Sequence, residues 1–221
     1  MRKESLMCKI GHLKYKIVNN FDEKYISKIR NKNLKNKNFT IISNNCWGGW
    51  VYRRFGLAYL SPTIGLFIMP KDYLKFINNL KYYLFECDLS FIDPQCSRYK
   101  DTLQKNPLFG KYPIGKLDDI EICFLHYKDE KEAKEKWNRR TSRVNLDNLI
   151  IKFCDQNGCT NHDIEEFNKI DKFKKMLCFT SKKIPGKYNI YMWEFKKDGY
   201  VIDDKYWCPQ HINLKKIIES K

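Results

Sequence analysis

Short apolar runs, each bounded by turn residues or by a segment of helical period, constrain this chain more than anything else in it. "FTIIS" (39–43), "TIGLFIM" (63–69), "IEICFLHY" (120–127), "NLIIKFC" (148–154) and "KKMLCFTS" (174–181) have the length and composition of strands. Among them, "KDYLKFINNLKYYLF" (71–85) places Tyr73, Leu74, Ile77, Leu80 and Leu84 at helical spacing, with Pro70 where a helix start tolerates proline. "DEKEAKEKWNRRTSRVN" (129–145) reads as a charged helix with Ala133, Trp137 and Val144 near one face and Glu130–Lys134 and Glu132–Lys136 paired at i,i+4. A further helix opens at Thr160 and Asp163, which have capping-box spacing. Strands alternating with helices predict an α/β fold with a mostly parallel, Rossmann-like sheet flanked by helices. The segment "YNIYMWEFKKDGYVIDD" (188–204) reads as a C-terminal β-hairpin turning at Lys-Asp-Gly. Residues 92–119, with three prolines and two glycines, read as a long, functional loop; Asp118, Asp119 and Glu121 offer carboxylates to a metal but read as a solvated loop.

A chain of 221 residues, 43% hydrophobic, buries a substantial core, and a single α/β domain over 39–221 is expected behind a basic N-terminal segment, 1–38. That segment carries eleven Lys or Arg against three Asp or Glu, a surplus of eight out of a net charge of +16. Such a bias suits an anionic partner: phosphorylated substrate, the inner membrane leaflet or nucleic acid. The alternative is ordinary solubility in a Lys-, Asn- and Ile-rich composition. No nucleic-acid motif frames the aromatic residues. No stretch approaches the roughly 20 apolar residues of a membrane span. The start, "MRKESLMCKIGHLKYKIV", lacks the apolar core of a secretory signal, so a cytoplasmic protein is expected. Nine cysteines, an odd number without a C-x-x-C pair, read as reduced thiols, with Cys123, Cys154 and Cys178 in apolar runs. The histidines offer no paired ligands, and neither metal nor cofactor is expected.

The chemistry concentrates at "SNNCWGG". Asn44, Asn45, Cys46, Trp47, Gly48 and Gly49 follow a strand and precede a helical pattern, the place where open α/β sheets bind ligands. Amide groups at a helix start attract anions and favour a thiolate. His126 follows another strand, so Cys46 and His126 form a candidate catalytic dyad if those strands are neighbours. The rival reading buries Cys46 behind Trp47 and leaves His126 to hold a loop. Arg139, Arg140 and Arg143, with Asn145 beyond, are candidate donors to a carboxylate or diphosphate; Arg139 and Arg143 share a face if the helix runs on. Arginines at a helix end also simply complement its dipole. Arg53, Thr63 and Tyr127 complete the candidate substrate-binding set.

The strings "SNNCWGGWVYRRFGLAYLSPTIGLFI", "YPIGKLDDIEI" and "FLHYKDEKEAKEKWNRRTSRVNLDNL" resemble a bacterial domain family of unknown function, over roughly residues 38–200. Its members often go by the name exopolysaccharide biosynthesis protein, sometimes acetyltransferase, and occur in capsule and lipopolysaccharide gene clusters. The resemblance implies a cytoplasmic protein of bacterial surface-polysaccharide biosynthesis. The expected activity is a transferase, glycosyl or acyl, taking an activated anionic donor (nucleotide sugar or acyl-CoA) and a glycan precursor as acceptor. The acceptor could be lipid-linked, with residues 1–38 touching anionic membrane at its inner face. A non-catalytic carbohydrate-binding or assembly accessory protein is the first alternative, and a basic nucleic-acid-binding protein the second.

Overall fold

The computed structural model describes residues 25–220; expectations resting on residues 1–24, most of the basic segment, lie outside the described residues. The strands are β1 (Thr40–Ser43), β2 (Phe67–Ile68), β3 (Ser90–Ile92), β4 (Ile114–Leu117), β5 (Ile120–Cys123), β6 (Leu149–Cys154), β7 (Lys175–Thr180) and β8 (Asn189–Tyr191). The helices are α1 (Ser27–Lys32), α2 (Trp47–Arg54), α3 (Pro70–Asn78), α4 (Leu80–Phe85), α5 (Lys100–Leu103), α6 (Glu130–Thr141), α7 (Asn161–Lys169), α8 (Asp204–His211) and α9 (Leu214–Glu219).

Strands β1, β6, β7 and β8 form a parallel sheet in the order β1-β6-β7-β8. Every residue of β6 and β7 is buried, as a parallel sheet covered on both faces demands. Alternation divides their side chains between two layers. Ile151, Phe153, Met176 and Cys178 pack with Phe76 of α3, Trp137 of α6 and Phe167 of α7. Ile150, Cys154, Leu177 and Phe179 pack with Trp47 and Trp50 of α2 and with Leu214 and Ile218 of α9. The predicted capping box is present at Thr160 and Asp163, and Pro70 opens α3 at its first turn. The predicted 71–85 helix breaks at Asn79, which leaves helical backbone (φ −125°, ψ 44°), and resumes as α4 at Leu80.

The strands predicted over 63–69 and 120–127 do not join the parallel sheet. They supply β2 and β5 of a second, antiparallel sheet in the order β2-β5-β4-β3. Only Asp118 and Asp119 separate β4 from β5, and a parallel pairing needs a crossover of about a dozen residues or more. Asp118 has φ 48°, a left-handed conformation that a short polar side chain tolerates in such a turn. Residues 92–119 are therefore not one long loop, since they carry α5 and β4. Nor are the two aspartates merely solvated. Tyr82 donates to Asp118 at 3.0 Å, and Asp119 accepts from Lys75 and Tyr83, each at 2.6 Å.

The predicted C-terminal hairpin is replaced by β8, which runs parallel to β7 with Phe179 opposite Ile190. The chain beyond β8 is captured elsewhere. Val201 donates its backbone N–H to the buried Asp155 at 2.7 Å, and α8 begins three residues later. No second strand pairs with β8 among the described residues.

The two sheets meet at the carboxyl end of β1. There the Ile68 amide donates to the Asn44 carbonyl at 3.0 Å, and, just past the β2–β5 pairing within the antiparallel sheet, the His126 backbone amide donates to the Gly65 carbonyl at 2.9 Å. Among the described residues, no helix is long and apolar enough to cross a membrane.

Candidate functional site

At the seam between the sheets lies a cleft of about 360 Å³ lined by Cys46, Gly49, Arg53, Tyr59, Ile64, Gly65, His126, Tyr127, Lys136, Arg140 and Lys205. Four cations and no carboxylate stand on its wall. A larger groove, about 620 Å³, runs past Arg30, Arg54 and His211. His211 there is held by Glu194 at 2.9 Å, and no thiol joins it, so the smaller cleft is the better chemical candidate.

Cys46 stands at the N-cap position of α2, half-buried, with its thiol donating to the Leu66 carbonyl at 3.6 Å. Burial pushes this thiol above its ordinary pKa; Lys205, Lys152 and Arg53 draw it down, and Asp204 opposes them. The net effect leaves a protonated thiol near neutral pH, against the thiolate expected at a helix start. His126 shifts the other way: desolvation, then the charges of Lys205 and Arg53, hold its pKa below the usual value. The imidazole is neutral at physiological pH and competent to accept a proton. Strands β1 and β5 belong to different sheets, so Cys46 and His126 are brought together by the seam and not by neighbouring strands.

Arg140 is the most unusual member. On α6 the buried residues are Ala133, Trp137, Arg140 and Thr141, an i, i+4, i+7, i+8 stripe that carries Arg140 inward to 7% exposure. Its Nη1 donates to the Tyr127 hydroxyl at 2.5 Å and to the Ile64 carbonyl at 3.3 Å. The rings of Tyr59 and Tyr127 lie 5.1 and 5.9 Å from the guanidinium carbon. Tyr127 stays a neutral phenol, since burial raises its pKa despite the adjacent arginine. Among the described residues, no carboxylate forms an ion pair with Arg140, and both of its protein bonds fall on one amino group. A buried charge without a counter-charge costs several kcal/mol.

The remaining sequence candidates divide. Arg139 and Arg143 are exposed and outside the cleft. Helix α6 ends at Thr141 with Ser142 as its cap, so the i,i+4 relation between these arginines does not hold. Asn145 lies at the amino-terminal edge of the parallel sheet, donating its amide to Thr40 Oγ1 and its side chain to the Asn38 carbonyl. Thr63 is buried, accepting from the Ser43 amide at 3.1 Å and donating to the Ile41 carbonyl at 3.3 Å. Asn44 donates to the Cys154 carbonyl, and Trp47 packs edge-on against Phe179. Gly48 serves packing, because a Cβ there would come within 3.1 Å of Ile41.

Asn45 belongs to a second charged cluster directly beneath the cleft. Lys152, in the middle of β6 and fully buried, forms an ion pair with Asp204 and donates to Asn45 Oδ1 at 2.9 Å. Asn45 returns a bond from Nδ2 to Asp204 at 2.8 Å, and the rings of Phe179 and Trp47 flank the ammonium at 5.2 and 5.8 Å. Sequence reasoning missed this cluster, although a lysine inside "LIIKFC" is a visible anomaly. It also missed Tyr59 and Lys205, which sit in no recognisable pattern, and took Lys136 only as the i,i+4 partner of Glu132.

The chain is similar to proteins of equally open function. Residues 17–219 match the family described as "Domain of unknown function (DUF1919)". An uncharacterized protein of Haemophilus influenzae is 36% identical over 187 residues, covering 84% of this chain and 83% of that protein. By the first of these matches, which spans nearly the whole chain, the protein is a member of the DUF1919 family.

Proposed function

We propose that this protein is a transferase of bacterial surface-polysaccharide biosynthesis, working on the cytoplasmic side of the membrane with an activated anionic donor, a nucleotide sugar or an acyl-CoA. The observation that carries the reading is Arg140, buried at a cleft wall, among the described residues without a counter-charge and with Nη2 and Nε left without a protein acceptor. A donor anion supplies the missing charge, and guanidinium groups are well suited to hold it. Gly49, in the first turn of α2, and the neutral His126 line the same cleft, the imidazole supplying a proton acceptor. The site lies beyond the carboxyl end of β1, where parallel, Rossmann-like sheets bind nucleotides. The basic segment 1–38 draws the protein toward anionic lipid and a lipid-linked acceptor, by about 1 kcal/mol per well-placed cation.

The test is incubation of the purified protein with pooled nucleotide sugars and acyl donors in the presence of a glycan acceptor. Donor consumption that disappears in Arg140→Met supports the transferase; binding without turnover moves the protein to an accessory role in assembly. One observation favours that second reading: the Cys46 thiol is spent on the Leu66 carbonyl and carries no activating bond. For a nucleic-acid binder, affinity for random DNA would fall steeply with salt, in proportion to the phosphates neutralised.

A further inference from the structure

We infer that the cleft holds the diphosphate of a glycosyl donor, with the phosphoryl group that bears the sugar toward Lys205, Cys46 and His126; this rests on the anion-binding reading above. The first argument is charge. Of the four cleft cations, Lys136 is already matched by Glu132 in an ion pair and Arg53 is engaged in bonds of its own, one of them to the Tyr59 hydroxyl at 3.4 Å, whereas Arg140 and Lys205 have no carboxylate partner among the described residues. Asp204, the residue next to Lys205, is committed to the buried Lys152. Two unmatched cations fit the two negative charges of a diphosphate diester, one per phosphorus. A monocarboxylate leaves one of them unmatched.

The second argument is placement. Arg140 comes from the end of α6 and sits among Tyr59, Tyr127 and Ile64, whereas Lys205 comes from α8 and acts electrostatically on both Cys46 and His126. Each phosphoryl group then meets its own cation, and in the inferred orientation the sugar-bearing one lies at the Lys205 end, in the cleft that Lys205, Cys46 and His126 line together.

That order separates the two donor classes. In a glycosyl diphosphate the reacting bond is adjacent to the diphosphate, within reach of His126. In an acyl-CoA the whole pantetheine arm lies between diphosphate and thioester, so a diphosphate bound here carries the acyl carbon out of this 360 Å³ cleft. In the step that follows, an acceptor hydroxyl forms a bond to the anomeric carbon while the bond from that carbon to the phosphoryl oxygen breaks. The electron pair leaves with the diphosphate, whose added negative charge meets Lys205, and the hydroxyl proton passes to His126.

Titration calorimetry on the full chain at fixed ionic strength tests this with inorganic pyrophosphate, inorganic phosphate and acetate as probes. Pyrophosphate should bind at least tenfold more tightly than the other two. Arg140→Met and Lys205→Met should each weaken it at least tenfold, with both variants retaining the wild-type thermal midpoint or a higher one. Equal pyrophosphate binding by the wild type and by Lys205→Met overturns the inference. Arg140-dependent binding of acetate without preference for pyrophosphate overturns the diphosphate but leaves the anion cleft standing; no binding of any anion overturns both. Competition then identifies the source: displacement by UDP-glucose indicates a nucleotide sugar, and displacement by farnesyl diphosphate indicates a lipid-linked one. Coenzyme A displacing pyrophosphate better than either overturns the glycosyl assignment.

Discussion

Two charged clusters lie one peptide bond apart in this molecule and differ in a single respect. Lys152 is fully buried, and every charge around it is answered: Asp204 pairs with it, Asn45 bridges both, and two rings close over the ammonium. Arg140 is nearly as buried, yet it is answered only by a phenol, a carbonyl and two aromatic faces. The clusters are joined through Asn45–Cys46 and Asp204–Lys205, whose first members belong to the closed network and whose second members line the cleft. Closed charge holds three parts of the chain together. Open charge, in the reading proposed above, takes its counter-ion from a ligand.

The largest effect that would break this contrast concerns the closed cluster. Asp204→Asn leaves Lys152 buried and unpaired, and urea denaturation should show a loss of about 3–5 kcal/mol. The paired change Lys152→Met with Asp204→Leu should cost far less, because no orphan charge remains. A single variant as stable as the wild type would mean that the ion pair does not secure α8. Next in size, Arg140→Met should behave oppositely, keeping or raising the denaturation midpoint while anion affinity falls at least tenfold, about 1.4 kcal/mol. Marked destabilisation would place Arg140 with Lys152 as a structural charge.

Smaller still is Cys46→Ser. With the thiol protonated and bonded to the Leu66 carbonyl, donor consumption should fall by less than about tenfold, under roughly 1.4 kcal/mol of barrier. A loss beyond a hundredfold would instead make Cys46 a covalent nucleophile. The smallest effect is a pH slope. His126 has a folded pKa below its unfolded value near 6.5, so the unfolded chain binds more protons as pH falls through that range. Its contribution to stability is therefore present above about pH 6.5 and declines below it. His126→Gln should flatten the corresponding part of a thermal-midpoint profile between pH 7.5 and 5, and saturating pyrophosphate should shrink it in the wild type. An identical profile in the variant would mean that neither burial nor the charges of Lys205 and Arg53 hold the His126 pKa down.

Much of the parallel sheet was legible before any coordinates. The runs at 39–43, 148–154 and 174–181 became β1, β6 and β7, because an apolar run of strand length buried on both faces leaves few alternatives. The antiparallel sheet was not legible as such. Residues 114–117 read "IGKL", too short and mixed to declare a strand, and they acquire one by pairing with β5 across the Asp118-Asp119 turn. The cleft shows the same division. Cys46, Gly49, Arg53, His126, Tyr127 and Arg140 stood out as residue types beside predicted strand or helix ends. Arg139 and Arg143 stood out equally, and only the burial of one face of α6 chose among the three arginines.

By itself the sequence determined the mixed α/β class, the runs that became β1, β6 and β7, and the openings of α3 at Pro70 and α7 at Thr160, because periodicity, capping and turn preferences act over a few residues. Tertiary structure alone decided that the strands divide between two sheets, that the seam between them becomes a cleft, and that Lys205, from near the C-terminal end, enters it. It also decided which charges are answered. Counter-charges arrive from any distance along the chain, as Asp204 reaches Lys152 across 52 positions, and no local pattern records whether one will arrive.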